Sequence, residues 1–283
     1  NKIEYINNGL DKNEFLPLYI KKIKIGDVHK IIARKLVKNF KQIIINKKQL
    51  CITIYEFHKL NDLMKKVSLY LVTNKLAPPL TGEMFPCCNK LGGKVYFFLD
   101  RSIISLLGIR GYGVHMNIYL NSNDGLKIWI PTRAKNKLLD PGKFDNSVAG
   151  GIAINETAKV ALEREALEEA GVNTNIVINA KPVGIINYCW KKNFSLRPDM
   201  LFIFDLKVGK KFIPKCLDGE VNNFTLMNWE DIRNIINDTN KFKLNCSLVL
   251  IDFFIRHGLI NHENEKDYEM IASSLNLGNI KVI

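Results

Sequence analysis

Three carboxylates at a fixed spacing are the part of this chain best equipped for chemistry. Glu165, Glu168 and Glu169 fall at i, i+3 and i+4, so on an α-helix they project from one face within a single turn. Like charges placed this way cost an exposed helix about 0.2–0.5 kcal/mol per pair, a penalty that a bound divalent cation removes. No Cys or His lies nearby in the sequence, and an all-oxygen donor set selects a hard ion, Mg2+ or Mn2+. Such an ion keeps several waters and shares its coordination sphere with substrate phosphates. The competing reading is a solvated acidic face, the usual meaning of a Glu-rich helix.

The element that must carry these side chains is well signalled. Asn155 and Thr157 are both candidate N-caps, Ala158 to Ala170 is made largely of strong helix formers, and Gly171 stands where a C-terminal glycine cap belongs. Val160, Ala161 and Leu167 are expected together on one side of the helix.

The whole run from Gly150 to Val172, GGIAINETAKVALEREALEEAGV, fits G-x5-E-x7-R-E-U-x-E-E-x-G-U, where U is an apolar residue. Gly150, Glu156, Arg164, Glu165, Glu168, Glu169, Gly171 and Val172 hold the fixed positions, with the small Ala166 at the first U. This is the Nudix box, and the chain resembles the Nudix hydrolases; so many fixed positions rarely coincide by chance, which sets the solvated-face reading aside. Outside the box, GIRGYGVHMNIYL, PGKFDNSVAGGIA, SLRPDMLFIFDL, CLDGEVNNFTLM and KLNCSLVLIDFFIRHGLI resemble the Nudix branch related to thiamine pyrophosphokinase. Members of that branch carry an uncharacterised domain ahead of the Nudix domain, and FLPLYIKKIKIGDVHKIIARKL resembles its start. The resemblance spans nearly the whole chain. Some members are fused to a pyrophosphokinase domain; no second catalytic domain is recognisable in these residues, so kinase activity is not expected.

The resemblance implies hydrolysis of an R–O–P–O–P linkage, with thiamine diphosphate or its oxidised forms as the substrate and the monophosphate as product. It also implies roles. Glu165, Glu168 and Glu169 hold the metal; Gly150 lets its loop approach the metal and offers its carbonyl; Arg164 braces the carboxylates through an ion pair; Glu156 is structural. Water must be deprotonated as it attacks, and the base must sit within about 3 Å of it. Glu220, in LDGEVNNF, occupies the place where many Nudix enzymes put an extra acidic residue beside the metals, and Glu168 is the alternative base. For substrate binding, Arg197 and Arg133 are candidates for the phosphates, Lys143 and Asn146 precede the box, and Tyr188 and Trp190 either stack on a heteroaromatic ring or are strand residues of the core. His115 is read as a core histidine. Two other functions remain open: hydrolysis of oxidised purine nucleotides (8-oxo-dGTP, 8-oxo-dGDP) or ADP-ribose, and a non-catalytic nucleotide- or RNA-binding Nudix protein. Degenerate binders usually lose box carboxylates, and this chain keeps all of them.

The expected fold class is α+β. Residues 1–110 form a small α+β domain, and residues 111–283 form a Nudix α/β/α sandwich with a mixed sheet and C-terminal helices. In the first part, Phe15 to Ile25 reads as a strand or hairpin. Asp27 to Phe40 reads as a helix capped by Asp27 with Ile31, Ile32, Leu36 and Val37 on one face, Gln42 to Ile54 as two strands around a Lys-Lys turn, and Glu56 to Asn74 as a second helix. An irregular stretch around Pro78-Pro79 precedes a strand at Lys94 to Leu99 and a short helix at Arg101 to Leu107. Later strands are expected at GVHMNIYL, LKIWIPTR, Pro182 to Trp190, Met200 to Leu206 and Phe224 to Met227, then helices at Trp229 to Ile236 and Asn245 to Gly258.

Charge and composition narrow the partners. The net charge of +13 is carried almost wholly by residues 1–110, which hold 20 Lys and Arg against 8 Asp and Glu. Those lysines are dispersed among Asn and Ile, which reads as compositional bias and argues against nucleic acid. No run of 18 uncharged apolar residues is present, so no membrane partner is expected. Six cysteines show no CxxC spacing, in keeping with a reducing compartment. The expected partner is a small diphosphate, the assembly a monomer or homodimer, and the location cytoplasmic by default. Organelle targeting is left open, because the chain starts at Asn1 and not at Met.

Overall fold

The computed structural model describes residues 2–137 and 140–275. Helix α1 (Lys2–Ile6) is followed by a hairpin of β1 (Phe15–Ile20) and β2 (Ile23–His29), helix α2 (Lys30–Asn39), a second hairpin of β3 (Ile43–Asn46) and β4 (Gln49–Ile52), and helix α3 (Phe57–Thr73). The four strands run in the order β2-β1-β4-β3, with β1 and β4 parallel. The Lys-Lys turn is present: Lys47 and Lys48 have φ of 45° and 62°, the paired left-handed conformation that a two-residue hairpin demands. Val28, Ile32, Leu36, Leu50, Val67 and Leu71 fill the core between this sheet and the two helices.

Helix α2 starts two residues later than the sequence suggests. Asp27 does not cap it: that residue lies within β2, where its nearly buried carboxylate pairs with Lys12 and Lys24, each at 2.7 Å. The cap is His29, whose Nδ1 accepts from Ile31 N at 3.2 Å. The buried face is therefore Ile32, Ala33 and Leu36, and Ile31 is exposed. A short ladder of β5 (Met84–Cys87) and β6 (Phe97–Asp100) follows, then α4 (Arg101–Ile104), capped by Asp100. Strand β5 falls in the stretch after Pro78-Pro79 that the sequence marks as irregular. Gly108 then turns the chain toward the second half. Its φ is +57°, and a Cβ there would stand 2.0 Å from the carbonyl oxygen of Asp27, so only glycine fits.

The second half is a helix–sheet–helix sandwich. Its elements are β7 (Tyr112–Ser122), β8 (Gly125–Arg133), β9 (Val148–Gly151), α5 (Ala158–Ala170), α6 (Thr174–Val177), β10 (Lys181–Lys192), β11 (Ser195–Lys207), β12 (Val221–Asn228), α7 (Trp229–Asp238), α8 (Leu244–Arg256) and α9 (Tyr268–Leu275). The sheet order is β10-β11-β7-β8-β12, with β9 paired to β7; β11 and β7 are parallel and the remaining pairs antiparallel. Strand alternation sends Val114, Met116, Ile118, Phe204 and Leu206 to one face, against α5. It sends Ile128, Ile130, Ile186 and Ile203 to the other, against α7 and α8.

Helix α5 begins at its Thr157 cap, whose Oγ1 accepts from Val160 N, and ends on Gly171 at φ 63°. Its buried face differs from the expected one. Ala161, Leu162, Ala166 and Ala170 pack on the sheet, while Val160 and Leu167 are 48% and 47% exposed. An alanine stripe lets the helix lie close on the strands, and close packing at this face outweighs the burial of two larger side chains. Among the described residues, no helix is long and apolar enough to cross a membrane.

Helix α1 does not stay with the strands that follow it. Ile3 and Ile6 are buried with Ile186, Tyr188, Leu201 and Leu248 of the second half. The adjoining Asn7, Asn8 and Gly9 bond the edge strand β10: Gly9 N donates to Cys189 O, Cys189 N to Asn7 Oδ1, and Lys191 N to Asn8 Oδ1.

Candidate active site

Two backbone facts place the carboxylates. Gly150 on β9 faces α5 so closely that a Cβ there would sit 1.8 Å from the carboxyl carbon of Glu165. One residue on, the carbonyl of Gly151 accepts from Arg164 Nη2 at 3.0 Å. Arg164 is the hub of the box. Its Nε and Nη2 donate to the two oxygens of Glu156 at 2.7 and 3.0 Å, and its Nη1 donates to Glu165 at 2.7 Å and Glu168 at 3.3 Å. Glu156 also accepts from Ala153 N, so it ties the loop to the start of the helix.

The three box carboxylates sit in different surroundings. Glu168 is half exposed. Glu165 is mostly buried, and burial pushes its pKa up against the pull of Arg164. Glu169 is 7% exposed and accepts from Ala149 N at 2.7 Å. Burial drives it well above the ordinary carboxylate range, and the nearby charges of Asp145 and Glu165 add to that. Burial works against ionising both acids together, Arg164 offsets this at Glu165, and every donor here is a hard oxygen. Oxygen donors of this kind are those a hard divalent ion takes; among the described residues, the group with ligand atoms within 4.8 Å of one another is a different one.

Glu220 lies within electrostatic reach of Glu165. It is paired with Lys137, and its backbone oxygen accepts from Ala134 N. Lys143 lies at the surface, paired with Asp140 at 2.7 Å. Arg197, 40% exposed, pairs with Asp199 at 3.0 Å. Three other sequence candidates lie inside. Tyr188 is 5% exposed and donates its hydroxyl to Asp199 at 2.6 Å. Arg133 is 9% exposed and binds Asp145 at 2.7 Å. Asn146 is 1% exposed.

Asn146 belongs to a buried relay whose hydrogens can be assigned from one end. Asp205 only accepts, so Asn117 Nδ2 donates to it at 3.1 Å, Asn146 Nδ2 donates to Asn117 Oδ1 at 3.1 Å, and His115 Nδ1 donates to Asn146 Oδ1 at 2.7 Å. Lys243, 98 residues from Asp145 in sequence, is its second cation at 3.1 Å. No local spacing could have revealed Lys243 or Lys137. The relay itself has a readable trace: His115 and Asn117 alternate with apolar residues along β7, which places polar groups on one face of the sheet.

His115, Asp145 and Cys246 bring one potential ligand atom each within 4.8 Å of one another. The surroundings do not suit an ion. Asp145 already carries two cations, and the Cys246 thiol donates to it at 2.6 Å. Burial pushes that thiol's pKa well above its ordinary value.

This layer should govern acid stability. Burial lowers the pKa of His115 to about 4. Its unfolded value is about 6.5, so the stability tied to neutral His115 is complete above that pH and is lost as pH falls toward 4, by about 3 kcal/mol. Burial alone would raise Asp145, but Lys243 and Arg133 override it and hold the pKa at about 2, so its contribution is lost only below about pH 4. Urea midpoints measured from pH 7 to 4 are expected to fall in the wild type and to stay nearly level in His115→Gln. Equal slopes would contradict this account.

Residues 1–111 match the model of a domain of unknown function, DUF4743, and residues 111–245 match the NUDIX domain. The chain is 32% identical over 275 residues to Nudix hydrolase 20, chloroplastic, of Arabidopsis thaliana, covering 93% of this chain and 74% of that protein. It is 31% identical to Nudix hydrolase 24, chloroplastic, of the same plant, covering 93% and 73%. The crystal structure of DR0079 from Deinococcus radiodurans overlays with a TM-score of 0.45 at 20% identity, covering 59% of this chain and 97% of that one. With the complete box on its strand and helix, and with relatives this similar along almost the whole chain, the protein belongs to the Nudix hydrolase family and carries the DUF4743 domain ahead of the Nudix domain.

Proposed function

We propose that this Nudix hydrolase is a Mg2+-dependent pyrophosphohydrolase that cleaves thiamine diphosphate, or an oxidised analogue of it, to the monophosphate. The observation that carries the diphosphate chemistry is the close seat of Glu165 on Gly150, with Arg164 fixing Glu165 and Glu168 from one side. Glu165, Glu168, Glu169 and the Gly150 carbonyl are the residues that would hold the ion, and Mn2+ suits the same donors. When bound, the ion neutralises diphosphate charge and lowers the pKa of the attacking water.

The chain's own groups do the rest. Glu168, half exposed on the outer side of the helix, takes the proton from water; Glu220, steadied by Lys137, is the alternative base. Arg197 and Lys143, the more exposed cations among the candidates, meet the phosphates. Arg133, Asn146 and Tyr188 act from behind by holding Asp145, the relay and Asp199. The thiamine assignment rests on the likeness to the thiamine pyrophosphokinase-related branch. An organellar site of action, in line with the names of the two plant relatives, is part of the proposal.

The test is monophosphate release with Mg2+ from thiamine diphosphate, oxythiamine diphosphate, 8-oxo-dGDP and ADP-ribose. Turnover led by the thiamine compounds is expected. Turnover confined to the nucleotides would sink the thiamine assignment and keep the hydrolase.

A further inference from the structure

Asp145 is surrounded by more positive charge than it can balance. Arg133 donates to its Oδ2 at 2.7 Å, and Asn146 N and the Cys246 thiol donate to its Oδ1 at 2.9 and 2.6 Å. Lys243 then adds a second cation to Oδ2 at 3.1 Å. One carboxylate neutralises one of the two cations, so this layer holds one surplus positive charge. Burial works to lower the pKa of Lys243, but Asp145 outweighs it and holds the ammonium above the ordinary lysine range. A surplus buried charge costs stability, and a carboxylate already paired with Arg133 gives no structural reason for it.

The position of Lys243 is fixed by backbone. Phe144 N donates to Lys241 O at 2.8 Å and Lys243 N donates to Phe144 O at 2.9 Å, a parallel bridge between Phe144 and Phe242. It pins the start of α8 against the segment that leads into β9 and the box. Lys243 is the N-cap residue of that helix, so the positive end of the helix dipole adds to its own charge.

Of the two cations on Asp145, Lys243 is the one that solvent reaches better: its side chain is 21% exposed, against 11% for Arg133. An ammonium has three donors, and among the described residues Nζ of Lys243 has a hydrogen bond to Asp145 alone. Its charge is also felt at Glu169, where it works against the upward push of burial. A compact cation with donors to spare, next to the box carboxylates and open on one side, is suited to a phosphate oxygen.

We propose that Lys243 is a substrate-binding residue, whose ammonium bridges Asp145 to an oxygen of the diphosphate held beside the box carboxylates. The inference rests on the diphosphate-hydrolase reading and adds to it a cation that stands far from the box in sequence. Asp145, kept in place by Arg133, Asn146 N and Cys246, is then a positioning residue that aims the lysine.

Two affinities that move in opposite senses test this. Calorimetry with methylenediphosphonate, whose P–C–P bridge is not hydrolysed, in saturating Mg2+ should show binding about tenfold or more weaker in Lys243→Met, the loss of one hydrogen bond to a charged group. Mn2+ affinity without the anion, read by electron paramagnetic resonance, should stay level or rise, because a like charge has left the neighbourhood of the carboxylates. Lys243→Arg should recover most of the anion affinity. A purely structural lysine predicts otherwise: Mn2+ and diphosphonate affinities both fall in Lys243→Met, by more than about threefold, and that result overturns the proposal. Should Lys243→Met fail to fold, acetic anhydride labelling of the wild type decides. Saturating diphosphonate should slow acetylation of Lys243 about threefold or more and leave Lys210, at the β7–β8 turn, unchanged; equal rates at Lys243 overturn the proposal. So does a wild type that binds no diphosphonate, or equal diphosphonate affinity in wild type and Lys243→Met, even in an active hydrolase. Diphosphonate binding that Lys243→Met loses, in a protein that hydrolyses no diphosphate, would strike down the hydrolase reading and keep the lysine's role.

Discussion

Glu169→Gln is expected to lose about 10²–10⁴-fold in kcat, the range for removal of a positioned acid–base or metal-holding carboxylate, and to lose no stability. Glu169 is nearly buried and its pKa is driven well above the carboxylate range by burial. The ionised form is therefore a burden on the folded state whenever no cation is beside it. A glutamine keeps the size and can still accept from Ala149 N with its amide oxygen, but it carries no charge. In EDTA its melting temperature should equal or exceed that of the wild type, although its activity is nearly gone. A gain in stability with a loss of activity is the mark of a residue kept for function against the preference of the fold. Glu168→Gln, at a half-exposed position, should lose activity on a similar scale with stability unchanged. Melting curves in EDTA and kcat in saturating Mg2+ decide the matter. Activity of either variant within tenfold of the wild type would show that the box carboxylates do not act as described.

Gly150→Ala is expected to disable the site with a single added methyl. Its Cβ would be placed 1.8 Å from the carboxyl carbon of Glu165, far inside contact distance, so Glu165 must swing away and break its bond to Arg164. Overpacking of this kind costs about 1–3 kcal/mol, and displacement of a catalytic group by about 1 Å can cost about 10²-fold in rate. The neighbouring Gly151→Ala is the control. Its Cβ meets only the Phe85 ring at 3.5 Å, an ordinary contact, so stability and methyl diphosphate turnover should change little. Parallel urea midpoints and rates for the two variants test this, and a Gly150→Ala enzyme with more than a third of wild-type activity would refute the close-seat account.

The site and the fold were legible to different degrees, for physical reasons. The box helix could be read almost residue by residue, because Thr157, the carboxylate spacing and Gly171 are local signals. Its buried face was misjudged because hydrophobicity favours Val160 and Leu167, whereas close approach to the sheet favours Ala161, Ala166 and Ala170. Asp27 looked like a cap because short polar residues usually are; its pairing with Lys12 and Lys24 across a hairpin overrode that preference. The roles of Arg133, Asn146 and Tyr188 depend on partners supplied by distant segments, as with Lys243 on Asp145, and spacing along the chain does not encode them. The cavity between the β5–β6 hairpin and the loop leading into α5 is lined by residues from both halves of the chain, and it has no sequence motif at all.

The crossing of the first nine residues sets an order of events during synthesis. Asn7 bonds Cys189, a partner 182 residues further along the chain, so the amino-terminal segment leaves the ribosome long before β10 exists. Until then Ile3 and Ile6 have no core to enter, and when β10 does form, its outer edge stays unpaired and open to other strands until the waiting segment reaches it. Closure of that long loop is an intrinsically slow contact. Locking the edge strand is accordingly a late event, and the interval before it is when a nascent chain is most exposed to joining its neighbour instead of itself.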